Sequence, residues 1–220
     1  MVEMGFGMIY LFGMKKIGAI GFDWGGVILQ QIDRSFSNVA SEFLGVENES
    51  FRRAYFLHNH LINKGANSRA FDQATEMWSK ILSELGLVDR LDLFMKFVQS
   101  RPKGEVSQSM VELLERLKNR GWKLGLLSNA SAEGAQRIRT QECLKLFEVT
   151  LFSAEIGLMK PEPEAFLKFS AELDVPITEL VFIDDSEHSL STAGEVGYMP
   201  IRFQNTKTLI VQLQTLGIEI

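Results

Sequence analysis

The stretch "GFDWGGVIL", residues 21–29, ends a short apolar run on an aspartate that is followed by two glycines. An apolar run of this length is typical of a buried strand, and open parallel sheets bind their ligands beyond the carboxyl ends of the strands. We therefore expect Asp23 to lie at a ligand-binding edge of a sheet. Gly25 and Gly26 allow the backbone to approach a ligand closely, so that their N–H groups are able to cradle an anion.

Polar side chains follow three later apolar runs in the same way. They are Ser128 and Asn129 after "WKLGLLS", Lys160 in the loop that follows "VTLFS", and Asp184 and Asp185 at the end of "LVFIDD". If these strands are neighbours in one parallel sheet, the carboxylates, the hydroxyl and the ammonium converge on one crevice.

Carboxylates that lie close together repel each other unless a positive charge is placed among them. Mg²⁺ suits this set because it prefers oxygen ligands and is usually bound by one or two carboxylates together with phosphate. Lys160 would then neutralise a phosphoryl oxygen, and Ser128 would donate a hydrogen bond. Asp23 remains as an oxygen nucleophile that is able to form an aspartyl-phosphate.

The pattern along the chain predicts an α/β fold. In the second half, apolar runs alternate with helical stripes, which indicates a parallel sheet covered by helices on both faces. The segment "HSLSTAGEVG" is predicted to be one of these helices. Residues 32–101 contain no strand-like run and are predicted to form a small, all-helical cap domain. The hydrolase core then comprises residues 1–31 and 102–220.

The composition narrows the partners and the location. The net charge of −5 and the pI of about 5.4 argue against nucleic acid and against anionic membranes, because both attract basic surfaces. Cys143 is the only cysteine, so no internal disulfide forms, which agrees with a cytoplasmic location. Residues 1–13 are apolar but too short to span a bilayer. They are either an upstream extension or a segment packed on the core.

The four strand-end sites together resemble the motifs of the haloacid dehalogenase superfamily, from about residue 16 to residue 203. The matching residues are Asp23, Gly26 and Val27 in the first motif, Ser128 in the second, Ser153, Gly157, Lys160 and Pro161 in the third, and Asp184 and Asp185 in the fourth. The start "GGV" and the compact cap look most similar to the sugar-phosphatase-like members and to the phosphatase lobe of some epoxide hydrolases.

This resemblance implies a Rossmann-like core, a helical cap and nucleophilic attack by Asp23 on a small phosphorylated metabolite. It also implies a bound Mg²⁺. The predicted site residues are Asp23, Ser128 and Lys160 for catalysis, Gly25, Gly26, Ser128, Asn129 and Lys160 for phosphate binding, and Asp23, Asp184, Asp185 and the carbonyl of Gly25 for the metal.

Two positions depart from the family pattern. Most phosphatases of the superfamily carry a second aspartate, a general acid and base, at the position of Gly25. That kind of help is typically worth about 10²–10⁴ in rate. Its absence implies a slow enzyme, a good leaving group such as that of a sugar 1-phosphate, or a substitute acid, for which His188, His58 and His60 are candidates. The second departure is Ser189, where many members have asparagine.

Three alternatives remain open. Dehalogenases of the superfamily also lack the second aspartate, although they need no metal and usually carry a bulky aromatic residue at the position of Gly25. Phosphonatases resemble the "DWGG" stretch and use a cap lysine, for which Lys64 is a candidate. A non-catalytic phospho-ligand-binding module is the third. The cap residues that are candidates for choosing the substrate are Arg34, Arg52, Arg53, His58, His60 and Lys64.

Overall fold

A computed structural model of the chain describes residues 16–30, 35–64, 70–101 and 104–220. The predicted extension over residues 1–13 and the cap candidate Arg34 lie outside the described residues. The predicted domain boundaries near residues 31 and 102 also fall outside them, so the exact boundaries stay a prediction. Within the described ranges, none of the helices combines the length and the apolar character that crossing a bilayer requires.

The core of the protein is a parallel sheet of five strands, as the sequence predicts. Among the described residues, the strands are β1 (Ala19–Phe22), β2 (Leu29–Gln30), β3 (Glu105–Val106), β4 (Lys123–Ser128), β5 (Val149–Phe152), β6 (Leu180–Asp184) and β7 (Met199–Arg202). In the sheet the order is β5-β4-β1-β6-β7, and all neighbouring strands are parallel. The strand that ends before Asp23 is therefore the central strand.

Helices cover both faces of this sheet. In the part of the chain that the structure describes, the α-helices are α1 (Phe36–Leu44), α2 (Asn48–His58), α3 (His60–Asn63), α4 (Ala70–Glu84), α5 (Leu91–Ser100), α6 (Gln108–Asn119), α7 (Ala132–Arg139), α8 (Ser153–Ile156), α9 (Pro163–Glu172), α10 (Ala193–Val196) and α11 (Thr206–Thr215). Alternate residues of β1 divide between the two faces. Ile20 and Phe22 join the cluster with α6 and α11, whereas Ala19 joins the cluster with α9.

The helix predicted over "HSLSTAGEVG" is mostly wrong. Only Ala193–Val196 is helical there, and the residues between Asp184 and α10 form turns. Side chains bond the backbone in this loop: Asp184 Oδ1 accepts from the Ser186 N–H at 2.8 Å, and Ser186 Oγ accepts from the Ser189 N–H at 3.3 Å. Such local bonds compete with the hydrogen bonds of a helix.

The five helices between residues 36 and 100 pack around an aromatic cluster of their own. Trp78 and Phe94 lie at its centre, with ring centroids 5.0 Å apart in an edge-to-face arrangement. Arg90 caps the C-terminal end of α1, because its guanidinium donates hydrogen bonds to the carbonyls of Leu44 and Phe43. We call this helical unit the cap.

The structure also contains a short antiparallel ribbon that the sequence does not predict. One of its strands precedes the cap in the sequence and the other follows it. Leu29 of β2 pairs with Val106 of β3, and Gln30 pairs with Glu105. Two residues per strand carry too little pattern to be recognised in a sequence. The ribbon brings together the segments through which the chain leaves the core and returns to it.

Two glycines allow α9 to approach the sheet closely. Gly21 and Gly125 are partners in the register of β1 and β4, and both face Phe169. A Cβ atom at Gly125 would lie 2.5 Å from Phe169 Cζ, and one at Gly21 would lie 2.6 Å from Phe169 Cε1. The absence of a side chain at both positions is therefore what permits the packing of Phe169 on the sheet.

We expect Gly125→Ala to lower the free energy of unfolding by about 1–3 kcal/mol, because the added methyl group overpacks a filled core. Urea denaturation measures the loss. Gly194→Ala is the matched control, since a Cβ atom there meets no heavy atom within 4 Å, and it should leave stability unchanged or improved. In the Phe169→Leu background the same glycine substitution should cost less. Equal costs in both backgrounds would contradict the packing argument.

Candidate active site

Three of the predicted site residues lie at the carboxyl ends of adjacent strands. β1 lies between β4 and β6, so Asp23 directly follows the central strand, while Ser128 and Asp184 end its two neighbours. The N–H of Asp23 extends the ladder by donating to the carbonyl of Ile183 at 2.9 Å. The sheet order therefore places the three residues at one edge of the sheet.

Lys160 reaches this edge from the loop between α8 and α9. Its ammonium lies 2.8 Å from Asp23 Oδ1 and 2.5 Å from Asp184 Oδ2, and 5.1 Å from the centroid of the Phe182 ring. The lysine side chain is only 1% exposed. Burial alone would lower the pKa of Lys160, but the carboxylates of Asp184 and Asp23 outweigh it and raise that pKa. The lysine is therefore a permanent cation that joins the two acids.

Asp23 is nearly shielded from solvent, with 13% of its side chain exposed. The pKa of Asp23 is raised to about 7 as the net result of opposing effects: burial raises it most, the ammonium of Lys160 lowers it, and the carboxylate of Asp184 raises it. Burial in a medium of low polarity disfavours a carboxylate, and a nearby cation favours it. A further cation at the site would therefore favour the ionised Asp23 that nucleophilic attack requires.

The two glycines after Asp23 differ in their surroundings. Gly26 has a φ of +75°, and a Cβ atom there would lie 2.3 Å from Asp185 Oδ2, so that only glycine fits. Gly25 is exposed, and a Cβ atom there would meet only Asp23 Oδ2, at 4.0 Å. A longer side chain at position 25 therefore has room to approach Asp23.

Asn129 ties two of the strand-end loops together. Its carboxamide Nδ2 donates to the carbonyl of Lys160, and its Oδ1 accepts from the N–H of Lys160, both at 2.8 Å. The sequence predicts Asn129 as a phosphate ligand, but the described structure directs its carboxamide to the lysine backbone. Beside this pair, Ser153 Oγ accepts from the N–H of Ala130 at 3.0 Å.

Thr192 forms a further hydrogen bond to the loop that carries Lys160. Its hydroxyl donates to the carbonyl of Pro161 at 2.8 Å. Sequence reasoning missed this residue, and also the use that Asn129 makes of its carboxamide. Neither has a sequence signal of its own, because each acts on the backbone of a loop that is distant in the chain. Together they fix the peptide units on both sides of the Lys160–Pro161 bond.

The acidic residues fit a divalent cation with oxygen ligands. Asp23, Asp184 and Asp185 each present a carboxylate oxygen, and these oxygens lie within 4.8 Å of one another. This donor set is the kind that Mg²⁺ prefers. Asp184 keeps one oxygen on Lys160 and the other on the Ser186 N–H, yet each carboxylate oxygen retains a second lone pair for a metal. The residues therefore fit the group that the family resemblance implies.

The histidine candidates for a substitute acid lie in different places. His58 is inside the cap, with Nε2 3.5 Å from Glu84 Oε1, and His60 Nδ1 is 3.0 Å from the carbonyl of Leu57 in its own segment. His188, in the loop after β6, packs its ring 4.2 Å from that of Phe56 of the cap. Of the three histidines, only His188 therefore belongs to a loop at the edge of the sheet.

The remaining cap candidates have partners that define their positions. Lys64 forms an ion pair with Glu162, two residues after Lys160. Arg52 lies over the Phe56 ring, 5.8 Å from its centroid. Arg53 lines a surface cavity of about 570 Å³ in the cap, together with other residues of α2 and with Glu84 at the end of α4. Arg52 and Lys64 therefore lie where the cap meets the core, whereas Arg53 does not.

Comparison with known proteins identifies the family. The profile of the haloacid dehalogenase-like hydrolases matches residues 17–197. The chain belongs to this hydrolase family. The α/β fold, the central position of the strand before Asp23 and the motif residues at the strand ends are the features that it shares with the family pattern.

Named relatives include both phosphatases and dehalogenases. "Phosphatase MT3486" of Mycobacterium tuberculosis is 30% identical over 64% of this chain and 64% of its own length. "Phosphorylated carbohydrates phosphatase" of Thermotoga maritima is 28% identical over 53% of this chain and 57% of its own length. "(S)-2-haloacid dehalogenase 1" of a Pseudomonas species is 25% identical over 58% and 57%. The match thus spans about three fifths of the length of each of these three relatives.

Among solved structures, a HAD family enzyme from Bacteroides thetaiotaomicron matches with a TM-score of 0.57 and 25% identity, over 89% of this chain and 99% of the enzyme. A variant of that enzyme has been crystallised with magnesium and inorganic phosphate. The match extends over most of both chains, so the neighbour shares the overall fold, including the helical segment.

We expect Asn129→Ala to destabilise the protein by about 1–3 kcal/mol, because it leaves the N–H and the carbonyl of Lys160 without their partner. Urea denaturation checks this. Asn119→Ala is the matched control, since Asn119 is exposed at the end of α6 and its loss should cost nothing. Equal stability of the two variants would show that the Asn129 carboxamide does not hold the loop.

Proposed function

We propose that the protein is a Mg²⁺-dependent phosphatase that acts on a small phosphorylated metabolite of the sugar-phosphate type through an aspartyl-phosphate on Asp23. The observation that carries this proposal is the buried Lys160 between Asp23 and Asp184 at the carboxyl edge of the sheet. A nucleophile, a fixed cation and a second acid in one place match the needs of phosphoryl transfer. The phosphatase relatives agree with it.

In the proposed reaction, a carboxylate oxygen of Asp23 attacks phosphorus, and the bond between phosphorus and the ester oxygen breaks. Lys160 and the hydroxyl of Ser128 stabilise the charge on the phosphoryl oxygens. Water then attacks the aspartyl-phosphate, which releases inorganic phosphate and restores the carboxylate of Asp23. Mg²⁺, held by Asp23, Asp184, Asp185 and the Gly25 carbonyl, would supply positive charge that neutralises the phosphoryl group.

The leaving oxygen needs a proton or must leave as an anion. Position 25 supplies no carboxylate, and burial together with the charge of Arg52 lowers the pKa of His188. A lowered pKa leaves His188 mainly neutral at pH 7, so that it is poorly suited to donate a proton. The substrate therefore favoured is one with a good leaving group, such as a sugar 1-phosphate.

We also propose that the protein is cytoplasmic, because its single cysteine, Cys143, is typical of a reducing compartment.

Dehalogenation is a second candidate. It is favoured by the absence of a second aspartate at position 25, although dehalogenases usually carry a bulky aromatic residue there, and by the relatives named as haloacid dehalogenases. The three clustered carboxylates argue against it, because dehalogenases of the superfamily need no metal site.

The ion pair of Lys64 with Glu162 weakens the phosphonatase alternative, since a paired ammonium is a poorer amine nucleophile. The non-catalytic binding module is an outcome of the test below.

The wild-type protein is expected to release inorganic phosphate from sugar 1-phosphates in the presence of Mg²⁺ and to lose this activity with EDTA. Asp23→Asn should lower kcat by roughly 10⁴-fold or more, because the nucleophile is lost. A phosphate-release assay over a panel of monoesters measures both effects. Activity that survives Asp23→Asn, or that is indifferent to EDTA, contradicts the mechanism.

The alternatives give other products in the same experiment. Halide release from a 2-haloacid without metal would assign the protein to the dehalogenases. Borohydride trapping of phosphonoacetaldehyde on Lys64 would assign it to the phosphonatases. Binding of phosphate esters without turnover would favour the non-catalytic module.

Gly25→Asp should raise the phosphatase rate on esters with poor leaving groups by about tenfold or more, because it supplies the missing general acid. Space for the side chain exists, as the nearest atom to a Cβ at this position is 4.0 Å away. Gly25→Asn is the matched control, since it has the same shape without an acidic proton. A comparison of kcat for an alkyl phosphate in the two variants tests the idea, and equal rates would refute it.

A further inference from the structure

Glu162 stands directly before α9, at the position that caps the N-terminus of this helix. Serine, threonine, aspartate and asparagine are preferred at such positions, because their short side chains bond the free N–H groups of the first turn. The side chain of Glu162 forms no such bond, although Glu162 is the capping residue. Its carboxylate is therefore directed to other groups.

One oxygen of this carboxylate turns back to the loop that carries Lys160. Glu162 Oε2 accepts from the N–H of Met159 at 3.3 Å, and the N–H of Glu162 donates to the carbonyl of Met159 at 2.8 Å. Met159 is buried, with 7% of its surface exposed, so its N–H has little access to water. The two bonds close a ring around Lys160 and Pro161, the residues that lie between Met159 and Glu162 in the chain.

The other oxygen of the same carboxylate faces the cap. Glu162 Oε1 forms the ion pair with Lys64, which directly follows α3, and α3 packs against α8. The side chains of Lys64 and Glu162 are 33% and 32% exposed, so water shields their charges only in part. A single side chain thus joins a cation of the cap to the backbone beside Lys160.

The other bonds to this loop come from the core. Asn129 bonds the N–H and the carbonyl of Lys160, and Thr192 bonds the carbonyl of Pro161. Neither of these two side chains forms an ion pair or a hydrogen bond with the described part of the cap. The bond from Glu162 to the loop differs from them, because its acceptor group also binds the cap.

We propose that Glu162 is a positioning residue through which Lys64 of the cap sets the position of Lys160; this inference rests on the proposed phosphatase function. A free glutamate side chain occupies many rotamers, and fixing it costs conformational entropy. The ion pair with Lys64 offsets that cost and keeps Oε2 on the N–H of Met159. Without Lys64 the carboxylate turns to water, the N–H of Met159 loses its acceptor, and the loop holds Lys160 less firmly between the two aspartates.

The inference has a consequence for the rate of the proposed reaction. Lys160 acts on the charge that develops on the phosphoryl oxygens in the transition state. A less firmly held Lys160 should therefore lower kcat more than it raises KM. Because an ion pair that is open to solvent contributes little, the contact between Lys64 and Glu162 should adjust the rate and not switch it off.

The test begins with three variants. Lys64→Met removes the ion pair from the side of the cap. Glu162→Gln removes the charge but keeps an oxygen that is able to accept from the N–H of Met159, and Glu162→Ala removes both. We expect kcat to fall by about two- to fivefold in Lys64→Met and in Glu162→Gln, the range for one partly exposed ion pair, and by about tenfold or more in Glu162→Ala. KM should change by less than about twofold.

Two further variants complete the kinetic test. Lys64→Met combined with Glu162→Gln should be no slower than either single variant, because both substitutions remove the same interaction. Lys168→Met is the matched control, since Lys168 pairs with Glu172 at 3.2 Å on an exposed part of α9, and it should leave kcat unchanged. A double variant whose loss is the product of the two single losses would contradict a shared interaction.

Charge reversal separates positioning of the loop from attachment of the cap. Lys64→Glu combined with Glu162→Lys restores an ion pair between cap and core, but a lysine side chain offers no acceptor to the N–H of Met159. We therefore expect kcat of this variant to remain as low as that of Glu162→Ala. Recovery of the wild-type kcat would show that attachment of the cap alone matters, and would overturn the inference.

Hydrogen exchange of the Met159 amide measures the same coupling without substrate, because an amide that loses its hydrogen bond exchanges faster. NMR should show exchange at Met159 faster by about two- to fivefold in Lys64→Met and by about tenfold or more in Glu162→Ala, with no change in Lys168→Met. If Glu162→Ala does not fold, Lys64→Met decides the test, because Lys64 lies outside the loop. Unchanged exchange in Lys64→Met overturns the inference.

The exchange measurement also keeps this inference distinct from the proposed function. If the wild type releases no phosphate but Lys64→Met speeds exchange at Met159, the phosphatase proposal fails and the coupling of the cap to the loop stands. If the wild type hydrolyses monoesters but Lys64→Met alters neither exchange nor kcat, the phosphatase proposal stands and this inference fails. Faster exchange with an unchanged kcat would show that the loop loosens without displacing Lys160, which also overturns the positioning role.

Discussion

The interaction on which the rest of the structure depends is the buried pair of contacts from Lys160 to Asp23 and Asp184. Removing one member of such a group leaves an uncompensated buried charge, which typically costs about 3–5 kcal/mol. The lysine comes from a loop, so its position has to be fixed by other contacts. Asn129 and Thr192 provide them by bonding the backbone on either side of the lysine–proline peptide bond.

The order of the strands explains why a lysine from a loop forms ion pairs with two aspartates at once. Because β1 is central, the carboxyl ends of β4 and β6 lie on either side of Asp23, and the loop after β5 needs to cross only β4 to reach it. The helix α9 that follows this loop lies close to the sheet because Gly21 and Gly125 carry no side chains. The close packing of α9 on the sheet and the ion pairs of Lys160 therefore depend on the same arrangement of strands.

Sequence reasoning predicted the parts of the site that are written locally in the chain. Asp23 and Asp184 follow apolar runs, and the rule for parallel sheets places such residues at one edge. The partner of the Asn129 carboxamide could not be predicted from the sequence, because the contact depends on how two loops that are 31 residues apart in the chain approach each other in space.

The substrate class of the proposed reaction follows from the residue at position 25. In the proposed reaction the edge of the sheet binds and attacks the phosphoryl group, but Gly25 supplies no carboxylic acid at position 25 to protonate the leaving oxygen. A leaving group that is stable as an anion, such as the oxygen at the anomeric carbon of a sugar, removes that need. The missing acid at position 25 is thus the feature of the site that bears most directly on the proposed class of substrate.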